Sequence, residues 1–434
     1  MQKARVHSAE GGSRHTQESL AEALGVDRTT IGRWESGRAT PQPWMRPKLA
    51  KALRTSLDQL AVLLSPPQGE PAVPAQSSGH APAAGRPQGV RDTGLIVEAV
   101  AADSSESALF LHFASTSNVD STLLEQLDAD IVRLAKDYVS KPLTDVFQDI
   151  STLRRAVFDL LRGRQRPHQT AHLYLAAGRL CGLATHVALD LGQYAAAATH
   201  SRTAWRCAES AGDNGLRAWV RSVQSLIAYW QQNYRQAADL ARSGLPYAIV
   251  GTIAARLLSL EARAAAAIGD TERALRAVEA AADARHAHSG ESELPGVFTF
   301  PDAKQWAYAG TTLLAINSLP HLGRAIEASS RAITLYESAP EEDRSSGDLQ
   351  AARLDLATAH LVNGDIDGVH DALTVVLGVT PDRRTASISK RLHALSARLA
   401  EPVYARSPMV MGLRETVREA CTRPSLTNPT ESAT

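Results

Sequence analysis

The residues best equipped for chemistry cluster near position 30. The segment Gln17-Glu-Ser-Leu-Ala-Glu-Ala-Leu-Gly-Val-Asp-Arg-Thr-Thr-Ile-Gly-Arg-Trp-Glu-Ser-Gly reads as two short helices joined by a tight turn. Thr16 and Asp27 are placed to cap them. Leu20 and Leu24 turn one face of the first helix toward a core, and Ala21 is small where the second helix must cross. Gly25 supplies the positive backbone dihedral that a tight turn needs. Ile31 and Trp34 then bury the inner face of the second helix, which leaves Arg28, Thr29, Gly32 and Arg33 facing outward. An arginine fork matches O6 and N7 of guanine together, and a threonine can touch a thymine methyl or a base edge. Gly32 leaves room for close backbone approach. Each outward arginine either reads a base or holds a phosphate, and spacing leaves both roles open.

Charge supports an anionic target for this segment. From Arg28 to Arg54 there are seven basic residues and one acid, Glu35, a local surplus of six positive charges. That is the footprint of a phosphate-binding face. Over all 434 residues the formal net charge is zero, so the chain as a whole is not a polyelectrolyte binder.

Ala21, Gly25 and Ile31 stand fifth, ninth and fifteenth from Gln17, as in the lambda-repressor-like helix-turn-helix of the Xre family, which this segment resembles. The stretch from Pro41 to Leu53 and Ser56-Leu-Asp-Gln-Leu are similar to that family's fourth and fifth helices. The resemblance implies a five-helix domain over residues 1–64 that binds double-stranded DNA. Arg28, Thr29, Gly32 and Arg33 would contact bases, while Gln17, Ser36 and Arg38 would hold phosphates. It also implies a homodimer on an inverted-repeat operator. The first helix departs from the pattern: Met1 to His15 offers only Ala4, Val6 and Ala9 before Gly11-Gly12. A short or weak first helix makes this small domain marginally stable.

The rest of the chain must position or regulate that element. At 44% hydrophobic and 21% charged residues it reads as globular, and 434 residues are too many for one core. Residues 65–92 are rich in Pro, Gly, Ser and Ala without helical or strand period, which predicts a flexible linker. Residues 93–167 form the helical entry to a second domain. There Asp120 caps a helix from Ser121 to about Ser140, carrying Leu124, Leu127, Ile131, Leu134 and Tyr138 at helical spacing. Pro142 opens the next helix at its first turn.

Residues 168–424 repeat a unit of helix, short turn and alanine-rich helix. Turns fall at Gly192, Asn233, Gly269, Pro320 and Gly364. Gly or Asn is expected to end the first helix of four units in a left-handed cap. Such pairs cannot bury their apolar faces singly, so they stack into an α-solenoid, giving an all-α fold class. The units resemble degenerate tetratricopeptide repeats; a plain helical bundle is the alternative. The excursion from Ser289 to Lys304 is long for a helix–helix connection and reads as a packing plug or a lid. Residues 425–434 read as a disordered tail.

Arg217, Arg221 and Gln224 share one helix face near Trp219 and Trp230. Lys304 and Tyr308, with Trp306, follow the long excursion. Together they form a candidate effector site suited to a carboxylate-bearing small molecule or peptide; core aromatics with solvated arginines are the plainer alternative. The combination of domains resembles the peptide-responsive quorum-sensing regulators, which grip a peptide with inward asparagines. Asparagines are scarce at the corresponding helices here.

No Walker loop, GxSxG, HExxH or GxGxxG in a strand–helix setting occurs, so neither enzyme activity nor a cofactor is expected. His286 and His288 fall on different helix faces, and the three cysteines are widely spaced, so no metal site is expected. The N-terminus has no signal-peptide core and no apolar run spans a membrane, which predicts a cytoplasmic, nucleoid-associated protein without membrane contact. Two functions fit: a DNA-binding transcription regulator whose repeat domain dimerises and senses an effector, or an interaction scaffold with a vestigial helix-turn-helix.

Overall fold

The computed structural model describes residues 16–36, 41, 45–53, 55, 59–60, 100, 103–111, 115–249, 251–287, 293–378, 384–404 and 408–422. The linker expected over 65–92, the first helix expected before Gln17, His288 and the tail beyond 424 lie outside these residues. The chain divides into two compact units, Met1–Arg91 and Asp92–Thr434. Among the described residues all regular structure is helical.

In the first unit, α1 (Gln17–Leu24) packs against both α2 (Arg28–Glu35) and α3 (Arg46–Ala52). The Thr16 hydroxyl caps α1 by accepting the Ser19 amide, and Gly25 (φ 66°) closes it in the left-handed region. Asp27 caps α2 by accepting the Thr29 amide. Leu20, Ile31 and Leu49 are fully buried, and Leu24, Trp34 and Leu53 pack around them. The core face therefore follows the period of the sequence, and an Ile31→Ala cavity would cost about 2–5 kcal/mol.

In the second unit, after helical residues at 103–111, come α4 (Ser121–Ser140) and α5 (Leu143–Leu161). Asp120 caps α4 through the Leu123 amide, and Leu124, Leu127, Ile131 and Leu134 are its buried face. Pro142 is the cap residue of α5 rather than its first helical residue. Its fixed φ and missing N–H suit either position.

Six helix pairs follow: α6 (Pro167–Asp190) with α7 (Tyr194–Ala211), α8 (Asn214–Trp230) with α9 (Tyr234–Gly244), and α10 (Ile253–Ile268) with α11 (Thr271–His286). Then come α12 (Asp302–Ile316) with α13 (Leu319–Ser338), α14 (Ser346–Asn363) with α15 (Ile366–Leu377), and α16 (Ala386–Leu399) with α17 (Pro408–Thr422). Alanines fill the contacts: Ala197, Ala204 and Ala208 on α7, Ala237, Ala238 and Ala241 on α9, and Ala274, Ala277 and Ala281 on α11 are all buried. Alanine loses no side-chain entropy on burial and lets helix axes approach closely.

The expected left-handed turns occur at Gly192 (φ 72°), Gly269 (φ 89°) and Gly364 (φ 78°). In the second pair the left-handed residue is Gln232 (φ 64°), one before Asn233, which instead precedes α9 as its cap. Asn317 (φ 50°) makes the turn before α13, three residues ahead of Pro320. Pro320 itself lies inside the first turn of α13.

The first helices of successive pairs contact one another in order from α6 to α16, and α16 returns to contact α6. The solenoid thus closes into a ring. Lys390 on α16 donates to the Trp230 carbonyl at the end of α8, 2.6 Å away. The excursion before α12 acts as a plug. Phe300 is fully buried, and Phe298 lies 4.6 Å from the Trp219 ring. Trp219 and Arg256 both donate to the Val297 carbonyl. Gly296 (φ 68°) sits so close to α4 that a Cβ would overlap the Ala135 carbonyl.

Candidate functional site

The base-reading face expected on α2 is exposed. Arg28, Thr29 and Arg33 are exposed and Gly32 is half-buried, while Ile31 and Trp34 are buried beneath them. A Cβ placed on Gly32 would meet open space, so its approach to a ligand is unobstructed. Thr29 is not idle: its hydroxyl donates to the Asp27 carboxylate at 2.6 Å, and its amide donates to the same oxygen. Those two hydrogen bonds hold the Asp27 carboxyl below its ordinary value. Arg28 pairs with Glu18 on α1 at 2.8 Å, with both side chains more than half exposed.

Of the residues expected to hold phosphates, Gln17 donates from Nε2 to Glu35 at 2.6 Å, bracing the start of α1 against the end of α2. Its amide has a second N–H. Ser36 is exposed at the end of α2 and donates its hydroxyl to the Arg33 carbonyl at 3.1 Å. Arg38 lies outside the described residues.

The candidate effector residues do not converge. Arg217, Arg221 and Gln224 do share a face of α8, but it turns toward α7 and Leu245–Tyr247. Arg221 stacks 3.8 Å over the Trp205 ring and donates to Gln224 at 2.9 Å, and Arg217 lies 5.7 Å from the Tyr247 ring. Burial of Arg221 lowers its pKa from the ordinary arginine value. Trp219 is buried in packing, 5.3 Å from His186.

Lys304 and Tyr308 instead line a cavity of about 500 Å³ inside the ring, into which Trp230 also faces. Its walls come from α4, α6, α8, α10, α12, α14 and α16, with the plug at Pro295–Thr299 closing one side. Its charged lining, Asp190, Arg256, Arg263, Asp348, Asp355 and Arg391, goes beyond the residues expected from spacing. Lys304 pairs with Asp348 at 2.9 Å and Arg391 with Asp355 at 3.0 Å. Burial opposes the Asp348 charge, yet the Lys304 ammonium holds its carboxyl below the ordinary value. Burial pushes Asp190 up to about 6, against the hydroxyl of Tyr138 that donates to it. His186 is driven well below the usual histidine range by burial and by the nearby Arg256 and Lys304 charges, so its ring is neutral. A hint did exist in sequence: Arg256 and Arg263 stand two turns apart in an alanine-rich helix, on one face.

Other reactive residues are quiet. Cys181 and Cys207 are buried, and burial raises their thiols to about 12 and 11. His286 bonds its own helix at the Ala282 carbonyl. Among the described residues no three His, Cys, Asp or Glu side chains converge as metal ligands. No helix of the described residues is long and apolar enough to cross a membrane.

A helix-turn-helix family model matches residues 14–60. No curated protein matches the chain. The matched residues contain α1, α2 and the core that joins them to α3, with the outer face of α2 exposed. The chain thus carries the DNA-binding helix-turn-helix of transcription regulators, followed by an all-helical solenoid.

Proposed function

We propose that the protein is a sequence-specific transcription regulator in which α2 reads the major groove and the helical ring pairs two copies and takes an effector. One observation carries the reading: Ile31 and Trp34 are buried while Arg28, Thr29 and Arg33 on the same helix are exposed. An inner apolar face and an outer donor-rich face are what groove recognition requires. Arg28 and Arg33 contact guanine edges or the adjoining phosphates, and Gln17, Ser36 and Arg38 fix register on the backbone. One domain of this size reads few base pairs, so two copies engage inverted half-sites about one helical turn apart.

Genomic fragments selected by the purified chain, followed by a salt titration on the selected duplex, test this. Binding should weaken steeply with salt, because phosphate contacts release counterions. Arg28→Ala should lower specific affinity by about 1–3 kcal/mol and relax one base position. A chain that ignores every duplex at low salt would instead be an interaction scaffold. Light scattering at micromolar concentration should give twice the chain mass; a monomer that still binds inverted repeats would refute the dimer.

A further inference from the structure

The cavity inside the ring holds a buried cation without a counter-ion among the described residues. Arg263 on α10 is only 2% exposed and lines the cavity. Its guanidinium is clamped between aromatic rings, 4.4 Å from the centroid of Tyr229 and 4.2 Å from that of Tyr308. Its Nε and Nη2 find no hydrogen-bond acceptor among the described residues. A buried cation of this kind is expensive unless something pairs with it. Arg391 arrives from the opposite part of the chain: both guanidinium groups approach the Trp230 ring, at 6.0 Å for Arg263 and 5.2 Å for Arg391.

The surrounding charges do not supply the missing counter-ion. Asp348 is taken by Lys304 and Asp355 by Arg391, with Thr311 also donating to Asp355. Asp190 accepts from Tyr138. Arg256, two turns before Arg263, spends its Nη2 on the carbonyls of Val297 and Thr299 at 2.7 and 2.6 Å. A space of about 500 Å³ is of the size that holds small organic ligands.

We propose that this cavity binds a small organic anion, a carboxylate or phosphate on a planar apolar body, with the anionic group on Arg263 beside the Arg391–Asp355 pair and the body against Trp230 and Tyr308. Two oxygens of a carboxylate or a phosphate match a guanidinium edge, and the aromatic walls already hold that edge in place, so little ordering entropy is lost on binding. Arg263 then trades stability of the unliganded ring for recognition. The inference rests on reading the ring as the sensing half of the protein, not on DNA binding: a chain that binds duplex but no anion would lose this proposal alone.

The test uses the full chain with 1-naphthoate, 1-naphthyl phosphate and the uncharged 1-naphthamide, read by calorimetry and thermal unfolding. At least one anion should bind at one site per chain and raise the melting temperature, with the naphthamide at least tenfold weaker. The two anions distinguish carboxylate from phosphate as the native group. Arg263→Met should melt at or above the temperature of the unliganded parent while losing at least tenfold in anion affinity, and Arg263→Lys should keep part of it. Arg217→Met, outside the cavity, should bind as the parent does. Failure of both anions to bind, equal binding of the naphthamide, or undiminished anion binding by Arg263→Met would each overturn the proposal.

Discussion

Arg28 is held by one exposed ion pair to Glu18, and such pairs contribute about 0–1 kcal/mol. The side chain therefore swings to a base or phosphate at little loss. Asp190 shows the opposite situation, a carboxylate enclosed by the ring. Its pKa rises from 3.8 to about 6 on burial, so the folded state favours the protonated form. That contribution is fully present below about pH 4 and is lost as pH rises through 6. Asp190→Asn keeps an acceptor for Tyr138 without the charge. It should be more stable than the parent by about 3 kcal/mol at pH 8, converging with it near pH 4, as denaturant melts at several pH values would record. The outward residues of α2 were legible because eight residues of helix with two buried anchors fix which side faces out. Arg263 was not, because its orphaned state depends on walls drawn from six other helices. Lys304 and Tyr308 line the cavity, whereas Arg217, Arg221 and Gln224 do not. Periodicity puts those three on one face of α8 but cannot tell that this face turns toward α7.

At the scale of elements, the sequence marks boundaries well where glycine is required and less well where it is not. Gly192, Gly269 and Gly364 announce left-handed turns, whereas Gln232 adopts the same conformation (φ 64°) against its preference and cannot be anticipated. Tertiary packing on both sides of that turn outweighs the local strain, which is of order 1 kcal/mol. The excursion before α12 was legible as unusual, and packing decides between its two readings: Val297 and Phe300 are core residues, which makes it a plug. Gly296 is where that plug touches α4, in a left-handed conformation and against the Ala135 carbonyl. Gly296→Ala should therefore lower stability by about 2–4 kcal/mol, from the strain of positive φ and the displaced backbone together. Chemical denaturation would measure it. A loss below about 0.5 kcal/mol would mean that the plug is loosely seated.

The second unit differs from an open repeat array in the return of α16 to α6. Nothing local encodes it; closure follows from the small rotation added by each pair, so it was out of reach of a sequence reading that gave the stacked pairs themselves. An open solenoid melts from its ends because each repeat touches only its neighbours. Closure gives the last pair a second partner, and the Lys390 ammonium secures it, donating to the Trp230 carbonyl at 2.6 Å and lying 4.7 Å from the Tyr194 ring. Lys390→Ala removes a charge-assisted hydrogen bond worth about 1–2 kcal/mol. Amides of α16 should then exchange with solvent roughly 5- to 30-fold faster, while those of α10, on the far arc, keep their rates. Unchanged exchange in α16 would mean that this contact does not hold the ring shut. The anion site makes the point sharper, since Arg391 sits one residue after Lys390 and meets Trp230 only when α16 is in place. Opening the ring should weaken anion binding by the same factor that it speeds exchange, a linkage that Lys390→Ala measures on both sides.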